Sequence, residues 1–118
     1  MTQNADTVVP TWQRVTQYVV SAVPEGLCMD GYAWDVTVEW RSEGLWAVKH
    51  HSYCADANGD WDYEPSPSNR TDEWKATHRF PLEEALRLAH KAAPKVCING
   101  YYPADLIAKY AQSDGTGG

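Results

Sequence analysis

The sequence predicts an α+β fold: an N-terminal helix, an antiparallel sheet of three to four strands, then two C-terminal helices packed on one sheet face. Three observations carry this. Trp34 to Arg41 alternate strictly between apolar and polar side chains, the period of a half-buried strand. Turn signals at Ser42-Glu43-Gly44 and Ala57-Asn58-Gly59-Asp60 separate further strand-like runs. Helical spacing borders this region on both sides, and antiparallel strands flanked by helices mark the α+β class.

The first element starts at Pro10. Trp12, Val15, Val19 and Ala22 recur at i, i+3, i+7 and i+10, with Tyr18 and Val23 beside them. Gln13, Arg14 and Gln17 fall outside that stripe. The spacing predicts one apolar helix face, closed by Pro24. The alternating strand follows, and the turn at 42–44 returns the chain into a second strand, Leu45 to Cys54. In this register Arg41 faces Leu45 and Trp40 faces Trp46, and cross-strand aromatic pairs of this kind add roughly 0.2–1 kcal/mol each. After the Asn58-Gly59 turn, Trp61 to Glu64 reads as a short third strand. It is a candidate edge through which a second copy could pair. Pro65 to Asn69 is a stiff polar loop, and Trp74 to Phe80 alternates again, either pairing independently or extending the sheet as a fourth strand.

Pro81 opens a helix at its first position, where a missing N–H costs nothing. Leu82, Ala85, Leu86, Ala89 and Ala92 form its apolar stripe. Glu83 and Glu84 near its start, and Lys91 and Lys95 near its end, suit the helix dipole. Lys95 to Ile98 is a short apolar segment before an Asn99-Gly100 turn, and Pro103 to Tyr110 forms the last helix. Residues 1–112 read as one α+β domain, with residues 1–9 frayed and residues 113–118 a disordered tail.

A chain of 118 residues matches a single domain. Leu, Ile, Val and Phe make up 16% of it, below the roughly 20% level at which disorder competes. Its net charge of −6 is moderate, and six Trp and seven Tyr supply the missing apolar area at about 150–250 Å² each. An aromatic core follows. Residues 25–64 hold nine acids and two bases; no basic run exists anywhere, which disfavours direct nucleic-acid binding. An acidic face suits solubility or a basic partner surface. Cys28, Cys54 and Cys97 share no CxxC spacing, which fits reduced thiols in a cytosol. The N-terminus lacks the charge and apolar pattern of a signal peptide, and no apolar run approaches the ~18 residues of a membrane span. The expected location is the cytoplasm.

Candidate chemistry is sparse. His50, Cys54 and His78 are the residues to weigh for zinc, since strand parity puts His50 and Cys54 on one side. Structural zinc sites pair close ligands, as in C-x₂₋₄-C with H-x₃₋₅-H. No second pair exists here, so neither metal nor cofactor is assigned. Counting a calcium loop from Asp56 places Trp61 and Pro67 where glycine and a bidentate acid belong. No nucleophile elbow, zinc-protease motif or phosphate-cradling glycine loop occurs. Glu83 and Glu84 point about 100° apart and form no facing pair. The reading is non-enzymatic.

Trp34, Trp40 and Trp46 are core candidates. Trp61, Tyr63, Tyr101 and Tyr102 sit beside turns, and exposed Trp and Tyr are common interface anchors. With Asp60 and Asp62 they form the candidate interface for a protein partner. Two alternatives come from other classes. The α-β-β-β-α order resembles the outline of a double-stranded RNA-binding domain, with Arg87, Lys91 and Lys95 as its basic stripe, or the acids mimic phosphate and occupy a DNA-binding protein. The other is a small metal protein or enzyme.

The segment from Gly44 to Ala92 resembles small uncharacterised proteins encoded by phages of actinobacteria, mycobacteriophages among them. The resemblance rests on Leu45-Trp46-Ala47-Val48, on Gly59-Asp60-Trp61-Asp62-Tyr63-Glu64-Pro65, on Arg70-Thr71-Asp72-Glu73-Trp74, and on the helix entry from Arg79-Phe80 to Ala85-Leu86. It covers about half the chain and carries no functional residue across. It implies a protein made inside an infected bacterium that binds a host protein, as a host-takeover or toxic factor.

Overall fold

Alternation governs the chain from its first described element. The computed structural model describes residues 8–117, with side chains to residue 111. Residues 1–7 and Gly118, parts of the expected frayed terminus and tail, lie outside the described residues. Five strands, β1 (Gln17–Val20), β2 (Val36–Ser42), β3 (Leu45–His50), β4 (Tyr53–Ala55) and β5 (Trp61–Tyr63), form one antiparallel sheet in the order β1-β2-β3-β4-β5. Three helices follow: α1 (Asp72–His78), α2 (Leu82–Ala92) and α3 (Pro103–Gly117). The fold is α+β, but the sheet has five strands rather than three or four, and no helix precedes it among the described residues.

The expected N-terminal helix is strand β1 and an irregular approach to it. Tyr18 and Val20 turn inward while Gln17 and Val19 face solvent. Of the expected stripe only Val19 falls in β1, and it faces solvent, so the inward residues follow period two instead. β-branched residues are dense here and lose side-chain freedom in a helix. The deciding factor is the open edge of β2: Val20 pairs with Val36, Gln17 pairs with Glu39, and Trp40 N–H donates to Thr16 O at 2.8 Å. Trp12 and Val15 of the expected stripe are exposed.

The expected second strand is two strands. β3 stops at His50, and the chain reverses through His51, whose φ of 56° is left-handed and uncommon outside glycine. Lys49 then pairs with Cys54, and His50 with Tyr53. The expected fourth strand is mostly helix α1. Thr71 Oγ1 accepts from Trp74 N–H at 3.0 Å, and Asp72 and Glu73 occupy the positive first turn. Arg79 is extended, and Phe80 exchanges backbone hydrogen bonds of 2.8 and 2.9 Å with Trp46.

Trp40 faces Trp46 as the register predicts, but a bulge places Ser42, not Arg41, opposite Leu45. Strand parity divides the sheet into two faces. Val36, Val38, Trp40, Trp46, Val48, Ala55 and Trp61 lie on the apolar face and join Phe80, Ala85, Leu88, Ala89, Val96 and Leu106 in one core. α2 lies against β2 and β3 on this side. The other face carries Thr37, Glu39, Lys49, Cys54 and Asp62, and α1 reaches it through a His78–Asp62 bond. Phe80 is where the chain crosses between the faces. α3 runs to Gly117, so residues 113–117 of the expected tail are helical.

Phe80→Ala should lose roughly 3–5 kcal/mol of unfolding free energy, measured by urea titration. A loss below about 1 kcal/mol would mean that the crossing does not depend on this ring.

Candidate functional site

Glu64 follows β5 directly and continues its alternation onto the charged face. Its side chain is only 4% exposed, and its carboxylate is surrounded by cations. Lys49 Nζ lies 2.8 Å from Oε1 and Arg41 Nη2 3.1 Å from the same oxygen. Arg79 Nη2 donates to Oε2 at 3.0 Å, and Arg70 Nη2 stands 3.6 Å from it. Burial alone would raise the Glu64 carboxyl. The Lys49 hydrogen bond and the charges of Arg41, Lys49 and Arg70 overcome it and hold the pKa down at about 2.

Each of the three arginines is placed by a second contact. Arg41 Nη1 donates to Glu39 Oε1 at 3.3 Å, while its Nε–H is buried without an acceptor. Arg70 Nε donates to Pro65 O at 2.9 Å. Arg79 Nη1 donates to the His78 carbonyl at 2.9 Å, and its guanidinium lies 5.1 Å from the Trp74 ring centre. Beside this cluster a pocket of about 480 Å³ opens, lined by Arg41, Ser42, Leu45, Arg70, Lys75, Ala76 and Arg79. Four of its seven lining residues are cationic. No linear signal announces this pocket. Only the parity shared by Glu39, Lys49 and Asp62 hints at a polar sheet face, and Arg70 and Arg79 arrive there because they flank α1, whose His78 is bonded to Asp62 on that face.

His50, Cys54 and His78, the residues weighed for zinc, are not brought together. The turn at His51 puts His50 and Cys54 on opposite sheet faces, overturning their expected shared parity. His50 Nε2 and His51 Nε2 both hold the Ala33 carbonyl, at 3.0 and 3.2 Å, and burial lowers the His50 pKa. Cys54 is fully buried, and burial together with the Glu64 charge raises its thiol. His78 is buried, stacked 4.1 Å from Trp74, with Nε2–H donating to Asp62 Oδ2 at 2.8 Å. Among the described residues no group of three or more His, Cys, Asp or Glu converges as a metal site.

The candidate interface residues take several roles. Asp60 is exposed in the β4–β5 turn, where Asp56 Oδ1 accepts its N–H at 2.9 Å. Trp61 is half-buried and packs against the core. Asp62 is half-exposed but engaged with His78. Tyr63 is 68% exposed and meets Tyr53, 49% exposed, edge-to-face at 6.3 Å. A single strand from Leu45 to Cys54 gives Tyr53 no partner at Tyr63; the turn at His51 sets the two opposite each other. Tyr101 and Tyr102 are half-exposed on the separate Asn99-Gly100 turn. Comparison of the chain with protein-family models, curated proteins and solved structures yields no match.

Glu64→Gln should destabilise the protein by about 3 kcal/mol at neutral pH, since the cations keep their burial and lose their partner. The depressed Glu64 pKa contributes stability that is complete above the ordinary carboxylate value of 4.5 and fades as pH falls towards about 2. Urea titrations across that window should show a shallower acid loss in Glu64→Gln than in the native sequence. Parallel curves would exclude Glu64 as a source of the acid sensitivity.

Proposed function

We propose that this chain is a phage-encoded, non-enzymatic interaction protein that binds and modulates a host protein in the bacterial cytoplasm, engaging it through the β4–β5 hairpin. The observation that carries this reading is the Tyr53–Tyr63 pair. Two large rings stand exposed and mutually oriented at the sheet edge. Tyrosines so placed give contact area at small entropic cost and anchor interface hot spots. Trp61, half-buried against the core, stiffens the strand that presents Tyr63. Asp60, exposed in the adjoining turn, suits a basic partner rim, whereas Asp62 lies on the opposite sheet face, bonded to His78. β5 is also an edge strand, so its outer backbone groups are open to strand addition by a partner or a second copy.

A binding role is further supported by how three chemically capable side chains are engaged. Glu64 is locked among cations, His78 is tied to Asp62, and Cys54 is sealed from solvent. No helix among the described residues is long and apolar enough to cross a membrane.

Affinity capture from an actinobacterial lysate tests the proposal, with Tyr53→Ala/Tyr63→Ala as the comparison. Both side chains are exposed, so the double variant should stay within about 1 kcal/mol of native stability. One host protein should bind the native chain and bind the variant at least tenfold more weakly. Equal capture of that protein by the variant would place the interface elsewhere.

A further inference from the structure

The chain holds ten Lys and Arg against sixteen Asp and Glu, yet five of those ten cations gather at one place. Arg41, Arg70, Lys75 and Arg79 line the pocket, and Lys49 stands behind it on Glu64. The acids among them are Glu64, Glu39 and Asp72, the last 3.5 Å from Lys75 Nζ. Five positive charges against three negative leave a local excess of two. Arg41, Lys49 and Arg70 are 18–23% exposed and Arg79 5%. An unbalanced charge this deep is costly unless something neutralises it.

We propose that the pocket binds a dianionic phosphate group, free or carried by a small organic molecule. A phosphomonoester carries close to two negative charges at neutral pH, which matches the excess. Guanidinium groups present paired N–H donors that fit phosphate oxygens. Arg70 is aimed for this. Its Nε is held by Pro65 O, while its Nη2 lies 3.6 Å from Glu64, too far for a hydrogen bond. Lys75 Nζ, half-exposed, sits at the rim, and the Ser42 hydroxyl adds a neutral donor. Leu45 and Ala76 supply an apolar wall for an organic body. Glu64 acts from beneath, fixing the arginines before a ligand arrives. A volume of about 480 Å³ falls among small-molecule pockets, which span roughly 300–1,000 Å³. An extended polyanion would run beyond the pocket onto a chain of net charge −6.

Isothermal titration of the full chain tests this, using phenyl phosphate, inorganic phosphate, phenol and a short oligothymidylate at matched ionic strength. Phenyl phosphate or inorganic phosphate should bind one to one, and phenol should give no heat. Tighter binding of phenyl phosphate identifies an organic phosphate as the ligand; equal binding identifies free phosphate. Lys75→Gln and Arg70→Gln should each weaken binding roughly tenfold, whereas Arg87→Gln, an exposed cation paired with Glu84 on α2, should leave it unchanged. Lys75 is half-exposed, so its variant tests the pocket even if Arg70→Gln unfolds. No heat from either phosphate, unchanged affinity in Lys75→Gln, or tighter binding of the oligothymidylate would each overturn the proposal.

Discussion

The Glu64 carboxylate lies buried among cations drawn from four places in the chain: Arg41 on β2, Lys49 on β3, Arg70 before α1 and Arg79 after it. Replacing a buried ion cluster with well-packed apolar groups is often neutral for stability. What this cluster supplies is position. Arg70 and Arg79 bracket α1, so a carboxylate that holds both fixes where that short helix lies. A seven-residue helix has little stability of its own. It persists through the Thr71 cap, the His78–Asp62 bond and these two arginines.

The same constraint sorts the sheet into two chemistries. On one face, Val36, Val38 and Val48 are completely buried beneath α2, and burial of apolar area drives association at roughly 25 cal/mol per Å². On the other face, polar side chains cover Ala47 and Cys54, both also fully buried. Phe80 links the two sides by pairing with Trp46 as the chain passes from α1 to α2. The tyrosine pair has the parity of the apolar face, and the cationic pocket belongs to the charged one. A partner held at Tyr53 and Tyr63 and an anion held at Arg70 and Lys75 would therefore approach from different directions.

Much of the architecture was legible in linear form. The alternation at Val36–Trp40, the turn glycines at 44 and 59 with φ of 73° and 85°, and the apolar stripe of α2 all follow from residue types at fixed spacing. Three elements were not legible. The spacing of Trp12, Val15 and Val19 suits a helix, yet all three are exposed, and the free edge of β2 takes up Tyr18 and Val20 instead. Alternation over Trp74–Phe80 concealed a helix whose signal was the Thr71 cap followed by two acids. The reversal at His51 had no glycine to announce it, because hydrogen bonding to Ala33 and packing on His50 hold that residue left-handed.

The candidate sites divide in the same way. The sequence alone determined that Tyr63 and Asp60 flank a turn, and turn residues are exposed for local reasons: the backbone there has no neighbour to cover it. It determined too that no run of basic residues exists. Only the tertiary structure decided that Arg41, Lys49, Arg70 and Arg79, spread over 39 positions, meet around a single carboxylate, with Lys75 at the rim of the pocket beside it. Periodicity and turn propensity act between near neighbours in the chain. Charge convergence depends instead on strand register and on the face that α1 covers, and contacts between distant segments set both.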